Sequence, residues 1–271
     1  MARVELPASK IRARRRKRRV RIMIALVALV VVVAGILLGL LWAPFARIHT
    51  VDIEGASSVN VDTVHAAAEA LLEGQEWYVV PRDSVFFYPK EVLRSGLLQQ
   101  FPVFKTIGFS SPSLTALSIS VTERAPAALW CGESMATSSP CSLMDDSGAV
   151  YAPAADFSGQ VYVQYYGALT ASSPKQFMTP DTFQSLTALT AALAAAAKEN
   201  VVAVEVTPDT GIVHFDSGFV LRYALGGGGA DVVERFSLAL TAAPFTAHTL
   251  SDFDYLDLRF GDRLYYKLKA K

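Results

Sequence analysis

The stretch LSISVTERAPAALW, Leu117–Trp130, divides the chain. Leu117, Ile119 and Val121 alternate with Ser118, Ser120 and Thr122, the period-two pattern of a half-buried strand. Ala125-Pro126 then opens a second part that reads as mostly β. Working back from this point, Thr106–Phe109 reads as a short strand. Pro89 opens a helix with Val92, Leu93 and Leu97 inward, closed before Pro102. Asn60 is placed to cap an earlier helix that carries Val61, Val64, Ala68, Leu71 and Leu72 on one face and stops near Gly74. Ile48–Ile53 alternates apolar and polar residues and ends at Glu54-Gly55, which makes it a strand. The expected order is strand, helix, helix, strand, strand.

Working forward, Trp130 and Leu143 flank a polar loop that holds both cysteines, Cys131 and Cys141. A disulfide there would stabilise by about 2–3 kcal/mol, and two separate thiols are the alternative. Asp145-Asp146-Ser147-Gly148 reads as a hairpin turn into Ala149–Ala152, and Gln160–Tyr166 as a strand. Thr179-Pro180-Asp181 caps a helix bearing Phe183, Leu186, Leu189 and Leu193. Val201–Val206, Ile212–Phe215 and Phe219–Tyr223 form a meander. Gly226–Gly229 loosens the chain before a helix with Val232, Val233, Phe236 and Leu240, which ends near Pro244. The last elements are Tyr255–Phe260, a turn at Gly261-Asp262, and Leu264–Leu268. In the first of these, Leu256, Leu258 and Phe260 are expected on one face and Tyr255, Asp257 and Arg259 on the other.

Ile22–Trp42 is 21 residues without a charge. As a helix it spans about 31 Å, the thickness of a bilayer's hydrocarbon core. Trp42 and Phe45 stand where interfacial aromatics belong, and Pro44 is expected to stop the helix. Ahead of it, residues 1–21 hold ten Lys/Arg (Arg3, Lys10, Arg12, Arg14, Arg15, Arg16, Lys17, Arg18, Arg19 and Arg21) against one acid, Glu5. The whole chain is neutral, with 25 basic and 25 acidic residues, so a tail of +9 is attached to a remainder of −9. This asymmetry argues against a nucleic-acid binder. The basic cluster beside a span reads as topogenic charge that stays cytoplasmic and touches anionic lipid, with the bulk of the chain outside. A cleaved signal peptide would need a small-x-small site, for which Ala43-Pro44-Phe45-Ala46 is poor.

The sharpest signal for chemistry is three Asp-Ser/Thr-Gly triplets at Asp146, Asp209 and Asp216. Two such loops facing each other would resemble an aspartic protease. Asp and Gly are also what tight turns require, and each triplet lies between strand-like runs, so turns are expected. His49, His65, His214 and His248 show no metal-ligand spacing, and no other ligand set accompanies the two cysteines. No serine-nucleophile elbow is present, and Gly226–Gly229 is not followed by the Lys-Ser/Thr of a phosphate loop.

Taken together, the basic tail and span, IHTVDIEGASSVNVDTV, QQFPVFKTIGFSSPSLTALSISVTERAPAALW, LMDDSGAVYAP and FDYLDLRFGDRLYYKL resemble the FtsQ/DivIB family of bacterial cell-division proteins over nearly the whole chain. The ordered set carries the resemblance, above all VTERAP followed by a Trp and later LDLR. It implies an α+β protein with residues 1–21 as a cytoplasmic tail, 22–46 as a single transmembrane helix, 47–124 as a POTRA domain (β-α-α-β-β), and 125–271 as a mostly antiparallel β-domain with two helices. It further implies a scaffold without catalysis or cofactor, lying in the cytoplasmic membrane at the division septum. The implied partners are FtsB- (DivIC-) and FtsL-like bitopic proteins and other divisome members, and the implied role is control of septal peptidoglycan synthesis. In the family a partner strand adds to the edge of the terminal sheet. By position after LDLR, the implied contacts are Phe260, Tyr265, Tyr266 and Arg259. Ordinary strand aromatics are the alternative, and Lys267, Lys269 and Lys271 would otherwise protect the edge. Some relatives carry a long C-terminal tail; with the chain stopping at Lys271, no role for one is expected. The competing readings are a POTRA-bearing assembly or secretion module, which usually adds a membrane barrel that 125–271 lacks the strands to form, and a membrane-anchored aspartic-type hydrolase using Asp146 or Asp216.

Overall fold

The computed structural model describes residues 8–42, 45, 47–76, 80–137, 139–157, 159–171, 174–226, 228–261 and 263–270. Arg3 and Glu5 of the tail, Ala43, Pro44 and Ala46, Ser138 of the cysteine loop, Gly227, Asp262 and Lys271 lie outside them. The protein is α+β. It divides into two compact units, Met1–Leu97 with Ile107–Val121, and Leu98–Thr106 with Thr122–Lys271.

The first unit begins with α1, Ala8–Leu41, a helix long and apolar enough over Arg16–Ile36 to cross a membrane. It starts well before Ile22, inside the basic tail. Arg, Lys and Ala are good helix formers, so the helix runs through the change in charge at residues 21 and 22. Next come β1 (Thr50–Glu54), α2 (Val61–Leu72), the short pair β2 (Gln75–Glu76) and β3 (Val80–Pro81), α3 (Lys90–Gln100), β4 (Phe104–Ser110) and β5 (Ala116–Glu123). The sheet order is β1-β5-β4, with β1 parallel to β5 from Thr50↔Ala116 to Glu54↔Ser120. Asn60 caps α2, its Oδ1 accepting from the Asp62 N–H at 2.8 Å. Val64, Ala67, Ala68 and Leu72 are buried, as are Leu93 and Leu97 of α3. Val61 and Val92, expected inward, are exposed. Val92 stands about 100° around the helix from Leu93, so both cannot face the same narrow seam. Gly55 ends β1 at φ 87°, and a Cβ there would lie 2.1 Å from the Val121 carbonyl oxygen.

The second unit is built on a ten-stranded sheet. Its strands are β6 (Ala128–Trp130), β7 (Ser142–Met144), β8 (Ala149–Pro153), β9 (Gln164–Tyr166), β10 (Lys175–Gln176), β11 (Val201–Val206), β12 (Thr210–Phe215), β13 (Val220–Ala224), β14 (Phe253–Phe260) and β15 (Arg263–Leu268). The order is β10-β8-β7-β6-β9-β11-β12-β13-β14-β15. Antiparallel pairs dominate; β6/β9, β9/β11 and β13/β14 are parallel. The strand expected over Gln160–Tyr166 is confined to its last three residues, because the segment before them bends away with Val161 exposed. Cys131 and Cys141 are joined by a disulfide across the β6–β7 loop.

Helices α4 (Pro180–Ala197) and α5 (Gly229–Leu240) cover one face of the sheet. Thr179 caps α4, with Pro180 at its first position, where the missing N–H loses no helix hydrogen bond. Phe183, Leu186 and Leu193 of α4 and Val232, Phe236 and Ala239 of α5 pack on Val204, Val213, Phe215, Leu221, Tyr223, Leu256 and Leu258.

Candidate partner-binding edge

Strand β15 ends the sheet. Its inner side pairs with β14, and among the described residues no strand pairs with its outer side. The edge therefore presents main-chain donors and acceptors to any extended segment laid beside it. Phe260, Leu264, Tyr265, Tyr266 and Leu268 around it are each 41–54% exposed.

Two register shifts in β14 decide where these side chains point. Opposite β15, Asp257 pairs with Tyr265 but Phe260 with Arg263, so β14 gains one residue between them. An extra residue reverses the in–out alternation beyond it. Phe260, expected on the face of Leu256 and Leu258, thus lies on the opposite face with Tyr265, ring centroids 5.2 Å apart and nearly perpendicular. A second shift, between Phe253 and Tyr255, lets Phe253, Leu256 and Leu258 all be buried despite their uneven spacing.

The four residues expected to contact a partner are therefore divided between two faces. Arg259, Phe260 and Tyr265 form one group: the Arg259 guanidinium lies 5.5 Å from the Phe260 ring centroid and grips Asp257, Nη2 to Oδ2 at 2.6 Å and Nε to Oδ1 at 2.9 Å. Asp257, expected on the polar face, is 4% exposed. Burial opposes its charge, but the Arg259 side chain and N–H, aided by Arg222, outweigh burial and hold the carboxyl below the usual range. Tyr266 lies on the helix side of the sheet, edge-on to Phe245 at 5.8 Å and to Phe253 at 6.0 Å. Lys267 donates to Asp254 at 2.8 Å, and this hydrogen bond lowers the pKa of Asp254.

On the helix side, α5 and the end of the sheet enclose a shallow groove of ≈ 480 Å³ that includes Leu238, Ala242, Leu258 and Leu264. Arg235 of α5 donates to the Gly261 carbonyl and so ties the β14–β15 turn to the helix. Gly261 occupies the left-handed region at φ 58°, which glycine adopts without strain. The reading of α5 as Val232, Val233, Phe236 and Leu240 overlooked the groove. Its only sequence signal was Leu238, an apolar residue outside the buried stripe.

The aspartate triplets are turns. Gly148 N–H bonds to the Asp145 carbonyl and Gly218 N–H to that of Phe215, while the Thr207 N–H bonds to the Thr210 carbonyl across the turn holding Asp209. Asp146 pairs with Lys105 at 2.7 Å, and Asp216 accepts from Asn200 at 3.1 Å. The buried carboxylate is the neighbouring Asp145, 1% exposed. Its Oδ1 accepts from Ser147 N–H and Oγ and from Ala149 N–H, and its Oδ2 pairs with Arg124. Burial works against its ionisation, yet these donors together hold its pKa below the ordinary value. Arg124 also donates through Nε to the Pro102 carbonyl at 3.0 Å. The motif VTERAP therefore supplies a largely buried structural cation, its side chain 10% exposed. Among the described residues no three His, Cys, Asp or Glu side chains gather as a metal-holding group. His65 and His248 face Glu69 and Asp252, and burial lowers the pKa of His214.

Neither a family model nor a curated protein matches this chain.

Proposed function

We infer that this chain is a membrane-anchored scaffold of the FtsQ/DivIB type, acting by protein contact in bacterial cell division. The observation that carries the reading is β15, a terminal edge strand with exposed aromatics on both faces and, beside it, a groove in which Leu238, Leu258 and Leu264 adjoin Asp231, Glu234 and Arg235. An extended partner segment adds to that edge through main-chain hydrogen bonds, and its side chains engage Tyr266 and Leu264 on one face and Tyr265 and Phe260 on the other. The partners are FtsB- (DivIC-) and FtsL-like bitopic proteins, within an assembly that controls septal peptidoglycan synthesis. Further support comes from the β1-α2-α3-β4-β5 order, interrupted only by the small β2–β3 pair, which is compatible with a POTRA domain. In this reading α1 crosses the cytoplasmic membrane with its basic end in the cytoplasm, and both folded units lie outside.

The test is binding of the full chain, held in nanodiscs, to the outer segments of FtsB- and FtsL-like proteins from the same organism. Tyr266→Glu should weaken binding at least ~30-fold, the effect of losing about 2 kcal/mol at an interface hot spot, and should lower the unfolding midpoint through its lost packing on Phe245 and Phe253 while leaving the chain folded. Absence of binding by the folded wild-type chain would overturn the reading.

A further inference from the structure

Outside α1, the exposed large apolar residues described in the first unit are Trp42, Phe45, Val61, Phe86, Phe87, Val92 and Leu114. They are not scattered. The chain leaves α1 at Leu41 and reaches Arg47 six residues later, at most about 22 Å away. There it is clamped to the segment before α3. Arg47 forms a β-bridge with Ser84, the Ile48 N–H donates to the Asp83 carbonyl at 2.7 Å, and the Arg47 Nε donates to the Asp83 carboxylate at 2.8 Å. Phe86 and Phe87 are two and three residues beyond that bridge. Leu114 is at the same end, because the His49 N–H donates to the Thr115 carbonyl at 2.8 Å and Ala116 pairs with Thr50 at the start of parallel β1 and β5. Val92, in the first turn of α3, follows the same loop. Only Val61 lies beyond the far end of β1.

The apolar exposure of this unit thus gathers at the end from which the anchor helix departs. An aromatic pair exposed to water has no packing reason to be there, and aromatics at membrane level belong in the interfacial belt. That belt is roughly 5–8 Å thick on each side of the hydrocarbon, within reach of a tether this short. Lys90, exposed beside the loop with its Nζ 5.2 Å from the Tyr88 ring centroid, supplies a cation at headgroup depth.

We propose that Phe86 and Phe87, with Leu114, rest in the outer interface of the bilayer that α1 crosses, so that the first unit is docked on the lipid surface. This rests on the membrane-anchor part of the proposed function. Docking restricts how freely the unit rotates about its tether.

The test uses the full chain in nanodiscs, spin-labelled one site at a time at Phe86→Cys, Leu114→Cys, Thr63→Cys and Val31→Cys; the native cysteines are joined to each other and take no label. Collision with oxygen, which concentrates in hydrocarbon, is compared with collision with a water-soluble nickel chelate. The expected result is strong oxygen and weak nickel access at Val31, a ratio at Phe86 and Leu114 shifted severalfold toward oxygen relative to Thr63, and full nickel access at Thr63. Phe86 and Leu114 as nickel-accessible as Thr63, with Val31 still in hydrocarbon, would overturn the docking and leave the anchor intact. Labels at Phe86 and Leu114 shielded from both reagents would assign the patch to a protein partner and also overturn the lipid assignment. A water-exposed Val31 would remove the anchor reading, and the docking with it.

Discussion

Tyr265 and Tyr266 are neighbours in sequence with different surroundings. Tyr265 stands over the open face of the sheet with Phe260, while Tyr266 borders the core and the α5 groove. A partner segment seated in that groove reaches Leu238, which supports none of the core. Leu238→Glu should therefore lower partner affinity by about tenfold or more at unchanged stability, measured by titration calorimetry beside a urea melt. Phe260→Ala should cost less, because Phe260 lies across the sheet from the groove. Asp145 makes a different prediction, one of stability. Its pKa and that of Asp257 are held below the ordinary value, so the stabilisation they add is fully present above about pH 4. It is lost as pH falls through the lowered folded values. The urea midpoint should be nearly flat from pH 7 to 5 and fall below about pH 4. Arg124→Met leaves the Asp145 carboxylate buried without its cation, which should cost about 3–5 kcal/mol at neutral pH.

At the scale of elements, Gly55 sits where β1 must leave β5. Its φ of 87° and the 2.1 Å approach of a Cβ to the Val121 oxygen mean that an alanine there must push two strands apart. Gly55→Ala should destabilise the first unit by at least ~2 kcal/mol, read as a lower urea midpoint. This glycine was legible as the end of a strand, though its contact with Val121 was not. The same division runs through the molecule. Periodicity and caps located α2, α3, α4 and the β11–β13 meander, because Asn60, Thr179 and the apolar spacing act locally. The parity of β14 was hidden, since a bulge depends on how β15 pairs with it, and so Phe260 was assigned to the wrong face, while the burial of Asp257 depends on the Arg259 side chain folded over it. The uncharged run begins at Ile22 while α1 begins at Ala8, because charge and helix propensity change at different residues. The buried role of Arg124 was hidden because it depends on Asp145, distant in sequence.

For the whole molecule, the proposed orientation in the membrane rests on charge asymmetry. Residues Arg14–Arg19 supply six of the ten cations that precede the apolar span. Cations near a span resist transfer across the bilayer, so on the proposed reading they should hold the tail inside and leave the folded units outside. The disulfide between Cys131 and Cys141 offers a reporter, because such a bond persists in an oxidising compartment and is reduced in the cytosol. Replacing Arg14–Arg19 with glutamine should leave a fraction of chains inverted or uninserted. In cells that fraction should carry reduced cysteines and take up a thiol-alkylating reagent, whereas the wild-type chain should be protected until a reductant is added. Protease added outside the membrane should degrade the folded units of the wild type and spare those of the inverted fraction. If alkylation and protease access are the same in both proteins, the tail does not set the orientation, and the charge asymmetry would have to serve lipid attraction alone.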